Sequence, residues 1–404
     1  MAARVVSAPW VLPGPDSAPL AGGALVLDGD RVLEIGPRAD IEARHGPAEL
    51  LDAVILPAMV NAHLHLELSH LAGKVPGGVG LVPWIEALVA QRARGGAVEG
   101  AVEEGMAAGA AALRLAGVAA VGDVTNGLTS GRHLAREGIT GTLFHEIYGF
   151  TEERAAQALR LAAEVRERVG DPGPGLRVAP SPHAVYSTHL ATAAALLRAG
   201  PASIHLAEVP DERRFVAEAA GPLADLVLRL GLEPGALRPF ARSPVDAVAA
   251  HLGPETLVVH AVDVDDEDLL ALRRSGATVV LCPRSNQHVS LRLPDLPRML
   301  AAGIPLAVGT DSLASSPSLS PLEEVAVLHE AFPDVAPGRL LALCWKGAAV
   351  GSPAVGRLLP GSSPGVIAAP LRGERPGDPF AWLLEVQASR PFEWLARHRP
   401  EPRP

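Results

Sequence analysis

Hydrophobic positions in this 404-residue chain change their spacing near residue 54 and again near residue 351. Before residue 54, short apolar stretches are separated by turn residues. Residues 23–36 read as a hairpin, with Asp28-Gly29 as the turn dipeptide. From Val54 onward, apolar runs alternate with helical patterns. Eight runs read as strands: 54–67, 119–126, 141–149, 176–187, 202–208, 256–264, 278–286 and 305–315. Between most of them lie segments of helical period, such as 212–230 and 266–275. Ser243-Pro244 is a helix start, with Ser as cap and Pro at the first helical position. The strands are continuous apolar runs, the pattern of strands covered on both faces. Eight such units over roughly 290 residues predict an α/β fold, a (β/α)8 TIM barrel. An open doubly wound sheet is the alternative, but no Gly-rich phosphate loop follows the first strand. After Gly351 the chain is rich in Gly and Pro, and residues 366–369 form a short strand candidate. The expected organisation is a catalytic barrel over residues 54–351. Segments 1–53 and 352–404 are expected to form a small flanking β-sandwich, with 397–404 a mobile end.

Composition narrows the class of partner. Apolar residues make up 48% and charged residues 20%, as in ordinary globular enzymes. The net charge of −10 argues against nucleic acid, whose phosphates need clustered Lys and Arg. Cys282 and Cys344 do not make a disulfide framework, so a reducing cytoplasm is expected. The N-terminus lacks the long apolar core of a signal peptide. The least polar long stretch, 105–122, carries Arg114 and four glycines. It reads as an Ala-rich helix running into a strand, not a membrane span. A small-molecule substrate is the expected partner, and homo-oligomer formation is left open.

Candidate chemistry sits at the C-terminal ends of the apolar runs. Side chains two apart on a strand point the same way, so His63 and His65 present two parallel imidazoles. His205, His260 and Asp311 end three later runs, spread over about 250 residues. In a (β/α)8 barrel these ends converge on one mouth. Imidazoles plus a carboxylate suit one borderline divalent ion, Zn2+ first, with Fe2+ or manganese as alternatives. His63, His65, His205 and Asp311 are the metal-ligand candidates. Such an ion lowers the pKa of a bound water to about 7. Glu208, three residues after His205, is placed to protonate a substrate ring nitrogen. Asp311 could also accept the water proton, and His260 could hold or polarise the water. His183, ending the fourth run, is a substrate-contact candidate. Trp84 reads either as a stacking surface for an aromatic base or as helix packing. His45, His133, His251, His329 and His398 read as structural or exposed.

These residues resemble the motifs of the amidohydrolase superfamily. Residues 58–69 resemble its first-strand motif, and 204–208, 259–260, 282–286 and 309–315 resemble the later ones in order. The resemblance is closest to the branch of deaminases and chlorohydrolases acting on adenosine, S-adenosylhomocysteine, guanine and aminodeoxyfutalosine. It implies one metal paired with a His-x-x-Glu element, matched by His205 and Glu208. Other members use two metals bridged by a carboxylated lysine. Lys74 and Lys346 are the only lysines of this chain, so that arrangement is excluded. Residues 181–187 are similar to a segment contacting ribose, with Val185 where Pro is common. The expected reaction is hydrolytic deamination of an aminated purine base or adenine-type nucleoside: aminodeoxyfutalosine, adenosine or S-adenosylhomocysteine-like. The rivals are a chlorohydrolase or deiminase using the same site, and a catalytically silent metal- or ligand-binding homologue.

Overall fold

The computed structural model describes residues 3–95 and 100–400. The N-terminal strands are β1 (Arg4–Val11), β2 (Leu20–Asp28), β3 (Arg31–Pro37), β4 (Glu49–Leu50) and β5 (Ala53–Pro57). Then follow β6 (Met59–Leu64), β7 (Val118–Thr125), β8 (Thr140–Ile147) and β9 (Leu176–Pro182), all parallel in one four-stranded sheet. A second parallel sheet holds β10 (Ala202–Leu206), β11 (Thr256–His260), β12 (Thr278–Leu281) and β13 (Leu306–Val308). Single parallel bridges join the two sheets at both seams, Leu64 with Asp311 and Ala184 with His205. The chain ends with β14 (Pro364–Pro370) and β15 (Glu393–His398). β14 pairs with β5 and β15 with β14, and the terminal strands form one seven-stranded sheet, β15-β14-β5-β1-β2-β3 with β4 beside β1. No helix among the described residues is long and apolar enough to cross a membrane.

Differences from the sequence expectation have local causes. The run 54–67 is divided at Ala58: β5 serves the terminal sheet and β6 the first parallel sheet. The hairpin loop is Gly29-Asp30, one residue later than the Asp28-Gly29 dipeptide, with Gly29 at φ 57°. Segment 212–230 is two helices, Pro210–Glu218 and Pro222–Arg229, because Gly221 and Pro222 interrupt it. Segment 266–275 is one helix with a capping box from Asp265 and Asp268. Run 278–286 stops at Leu281, where Pro283 opens helix Pro283–Ser290. Arg397 and His398 pair within the terminal sheet rather than fraying, and 401–404 lie outside the described residues.

Most strand runs end earlier than apolarity alone suggests. Ala207, His260, Ala261 and Asp311 all have positive φ, 54°, 76°, 48° and 55°. Non-glycine residues reach that region only under constraint, and such constraint clusters at functional sites. The turns lift polar side chains off the strand axis at the C-terminal ends of β10, β11 and β13.

Candidate metal centre and active site

Four side chains from β6, β10 and the segment after β13 meet at one point. His63 is fully buried on β6, and His65 follows it. Their rings lie 4.9 Å apart at 85°, and His63 is also 4.9 Å from the His205 ring. His65 and His205 face each other with Nε2 atoms 3.2 Å apart. Asp311 Oδ1 lies 3.5 Å from His65 Nε2 and 3.7 Å from His63 Nε2. Ligand atoms of His63, His65 and His205 all lie within 4.8 Å of one another.

The protonation states favour a cation. Burial, then the neighbouring His63, pushes His65 down to about 3, and burial pushes His205 well below the usual imidazole range. Both are therefore neutral at pH 7. His205 donates its Nδ1–H to the carbonyl of His183 (3.0 Å), so its lone pair is on Nε2, facing His65. Neither ring nitrogen of His63 has a hydrogen-bond partner despite full burial. Burial opposes ionisation of Asp311, but the imidazoles of His63, His65 and His260 hold it well below the usual carboxylate range. Three imidazoles and one carboxylate, with both nitrogens of the buried His63 unpartnered, fit a divalent ion.

The surrounding chain fixes each ligand. Asn61 on β6 binds Thr310 in both directions, accepting its N–H (3.2 Å) and donating to its hydroxyl (2.7 Å). The carbonyl of His63 accepts the amides of Thr310 and Asp311 at 2.9 and 3.1 Å. Ser285 and Ser315 donate to Asp311 Oδ2 at 2.6 and 3.1 Å, leaving Oδ1 toward the imidazoles. Gly309 permits this approach, since a Cβ there would lie 2.7 Å from the His63 carbonyl oxygen. Gly309→Ala is therefore expected to cost about 1–3 kcal/mol and to reduce bound metal. Thermal melting and metal content check this; unchanged values would show that the His63 backbone yields freely.

Glu208 and His260 stand beside this cluster. Glu208 is buried just past β10, with Oε2 3.6 Å from His260 Nε2. Burial pushes its carboxyl well above the usual range, and the charges of Asp311 and Glu212 push the same way. Burial thus favours the protonated form of Glu208. Burial pushes His260 down to about 4, and Asn286 donates its Nδ2–H to His260 Nδ1 (3.1 Å). That leaves His260 Nε2–H directed at Glu208. His183 sits beside Ser187, with Nδ1 to Oγ 2.5 Å, and burial pushes it down to about 4.

His65, His183, His205, Glu208, His260 and Asp311 line one cavity of about 520 Å3. Trp84 is on its wall, in helix Leu81–Gly95, together with Leu81 and Leu88. Leu226, Val227 and Leu230 form the apolar wall contributed by the segment 222–230. Two carboxylates in the lining escaped the sequence reading. Glu146 on β8 is buried, accepts the Tyr148 hydroxyl and is raised by burial to about 7. Glu67 accepts Thr125 Oγ1 and the amides of Asn126 and Gly127. Glu146 falls near the C-terminal end of β8, and Glu67 in the 3-10 turn Leu66–Leu71 that follows β6. Glu146, His183 and His205 also group within 4.8 Å. There, however, His205 Nδ1 is spent on the His183 carbonyl, so this group lacks a lone pair for a second ion.

The sequence profile of the amidohydrolase family matches residues 54–364. The chain is 31% identical over 404 residues to an aminodeoxyfutalosine deaminase of Deinococcus radiodurans, covering 94% of this chain and 90% of that protein. Its fold is similar to the crystal structure of Helicobacter pylori aminofutalosine deaminase in complex with methylthio-coformycin. That match has a TM-score of 0.83 and 22% identity over 99% of this chain and 100% of the other. It is also similar to an adenosine deaminase from Xanthomonas campestris with bound zinc, at a TM-score of 0.78 and 21% identity over 98% and 92%. The profile match over most of the chain and the near full-length relative agree: the chain belongs to the amidohydrolase family.

Proposed function

We propose that the chain catalyses hydrolytic deamination of an aminated purine, as the base or an adenine-type nucleoside, with release of ammonia. One observation carries the reading: a buried Glu208, 3.6 Å from His260, stands beside a cluster of three imidazoles and a carboxylate. A proton donor is what a ring nitrogen needs when water adds to the adjacent carbon. The Deinococcus relative, a deaminase by name, supports the same chemistry.

His63, His65, His205 and Asp311 hold the ion in this reading. Zinc is the assignment, since the donor set suits it and the Xanthomonas structure carries it. A divalent ion there supplies Lewis-acid polarisation and lowers the pKa of water to about 7. Glu208 delivers its proton to the ring nitrogen next to the amino-bearing carbon, removing aromaticity. Asp311 takes the proton released when water adds to that carbon. His260, through Nε2–H, hydrogen-bonds the incoming oxygen and orients it. The proton on Asp311 then moves to the leaving amine, the C–N bond breaks as the added hydroxyl returns its proton to the Glu208 carboxylate, and ammonia and the oxo product result.

The apolar wall around Trp84 packs the purine ring in this reading, and His183 contacts the attached sugar. Trp84→Ala is expected to raise KM about tenfold, within the 1–3 kcal/mol of base stacking, with kcat little changed. Steady-state kinetics check it; a fall in kcat at constant KM would make Trp84 a packing residue instead.

The two parallel sheets are read as one closed (β/α)8 barrel, supported by the bridges at both seams. Residues 54–351 are assigned to the catalytic unit and the terminal segments to a flanking β-sandwich, with β5 lent to the latter. Two buried free thiols suit a reducing cytoplasm. The deciding experiment is ammonia release from metal-loaded protein. The panel is adenosine, S-adenosylhomocysteine, aminodeoxyfutalosine, guanine and pterins. Turnover of a purine member supports the proposal; no turnover of any, or chloride release from a halogenated ring alone, sinks it.

A further inference from the structure

Glu212 lies one helical turn beyond Glu208, in the first turn of helix Pro210–Glu218, and is fully buried. No Arg or Lys pairs with it among the described residues. Its carboxylate instead accepts two consecutive backbone amides, Glu208 N–H at 2.7 Å and Ala207 N–H at 3.0 Å. Ala207 is held at φ 54°, a conformation an alanine does not keep without restraint. The same peptide segment anchors the neighbouring loop. Ala207 O accepts the amides of Val262 and Asp263 at 2.8 Å each, and Leu206 O accepts that of Ala261 at 3.0 Å. From the next position on the same helix, Arg213 holds that loop through Asp263 (2.9 Å) and the helix after it through Asp268 (2.8 Å). Adjacent residues thus tie down the two segments carrying Glu208 and His260.

We infer that Glu212 is a positioning residue for proton transfer: its two accepted amides fix the left-handed turn at Ala207 that aims the Glu208 carboxyl into the cavity. The inference rests on the deaminase reading above. A carboxylate suits this task because both oxygens accept. In Glu212→Gln, one oxygen becomes an NH2 group, which opposes an amide N–H and leaves it unpartnered. The turn then relaxes, and Glu208 leaves its line to the substrate nitrogen.

The test is a double-mutant cycle with Glu208→Gln, read as kcat and KM for ammonia release, with bound metal and thermal melting measured on each protein. Glu212→Gln alone is expected to lower kcat about 10²-fold, with KM and metal content unchanged. In the Glu208→Gln background it is expected to cost nothing further, since a misplaced donor and an absent donor are equivalent. Glu212→Asp, too short to reach both amides, serves the same cycle if the Gln variant does not fold. Multiplicative losses in the double variant overturn the inference. So does loss of metal in step with kcat, unchanged kcat, or failure of both variants to fold, because Glu212 would then support the fold rather than the acid. A wild type that releases no ammonia overturns the underlying deaminase reading instead.

Discussion

Glu208→Gln is expected to lower kcat by about 10²–10⁴-fold, the range contributed by a positioned general acid, while metal content and melting temperature stay near those of the unaltered protein. The reasoning starts from burial. Burial, and then the charges of Asp311 and Glu212, favour the protonated form of Glu208. The amide of Gln matches the carboxyl in shape and can still donate a hydrogen bond. It cannot give up a proton to a ring nitrogen, so the loss falls on kcat and not on substrate binding. The side chain is 3.6 Å from His260 and ligates nothing else in the metal cluster, so the ion is retained. Kinetics with metal analysis decide it. A variant that keeps full kcat removes Glu208 from the reaction; one that loses its metal makes Glu208 a ligand.

Removal of the metal is the second large effect. Stripping by a chelator is expected to bring ammonia release below detection, with recovery on adding about one equivalent of Zn2+. The same treatment is expected to lower the melting temperature. The site holds facing Nε2 atoms 3.2 Å apart and a fully buried His63 with both nitrogens unpartnered. Without an ion the buried His63 nitrogens stay unpartnered, at a cost in stability. With one, native-state binding adds RT ln(1 + [L]/Kd), about 2.7 kcal/mol at a hundredfold excess over Kd. His205→Ala is expected to reproduce both effects irreversibly, because it removes one ligand and the bond to the His183 carbonyl. Calorimetry with and without Zn2+ reads the shift. Full turnover by protein holding well under a tenth of an equivalent of metal contradicts the site.

Several parts of this architecture were legible in the residues. The C-terminal-end rule brought out His63, His65, His205, His260 and Asp311 because each closes an apolar run. The runs themselves were legible because a strand covered on both faces has no polar alternation to obscure it. Helix 266–275 was legible through its helical period. Strand ends were not, since apolarity continues into turns such as Ala207 and Ala261, where the backbone and not the side chain changes state. Glu146 and Glu67 were passed over because an isolated Glu resembles any solvated carboxylate until its burial is known.

By itself, then, the chain's pattern determined the alternating strand–helix order, the family motifs and the residue types able to hold a metal. Those are properties of local spacing and side-chain chemistry. Only the tertiary structure decided that β5 leaves the apolar run to join the terminal sheet, that burial favours the protonated form of Glu208, and that Glu212 spends both carboxyl oxygens on two backbone amides. Each depends on what packs against a residue from far along the chain, and burial, unlike periodicity, has no signature in neighbouring positions.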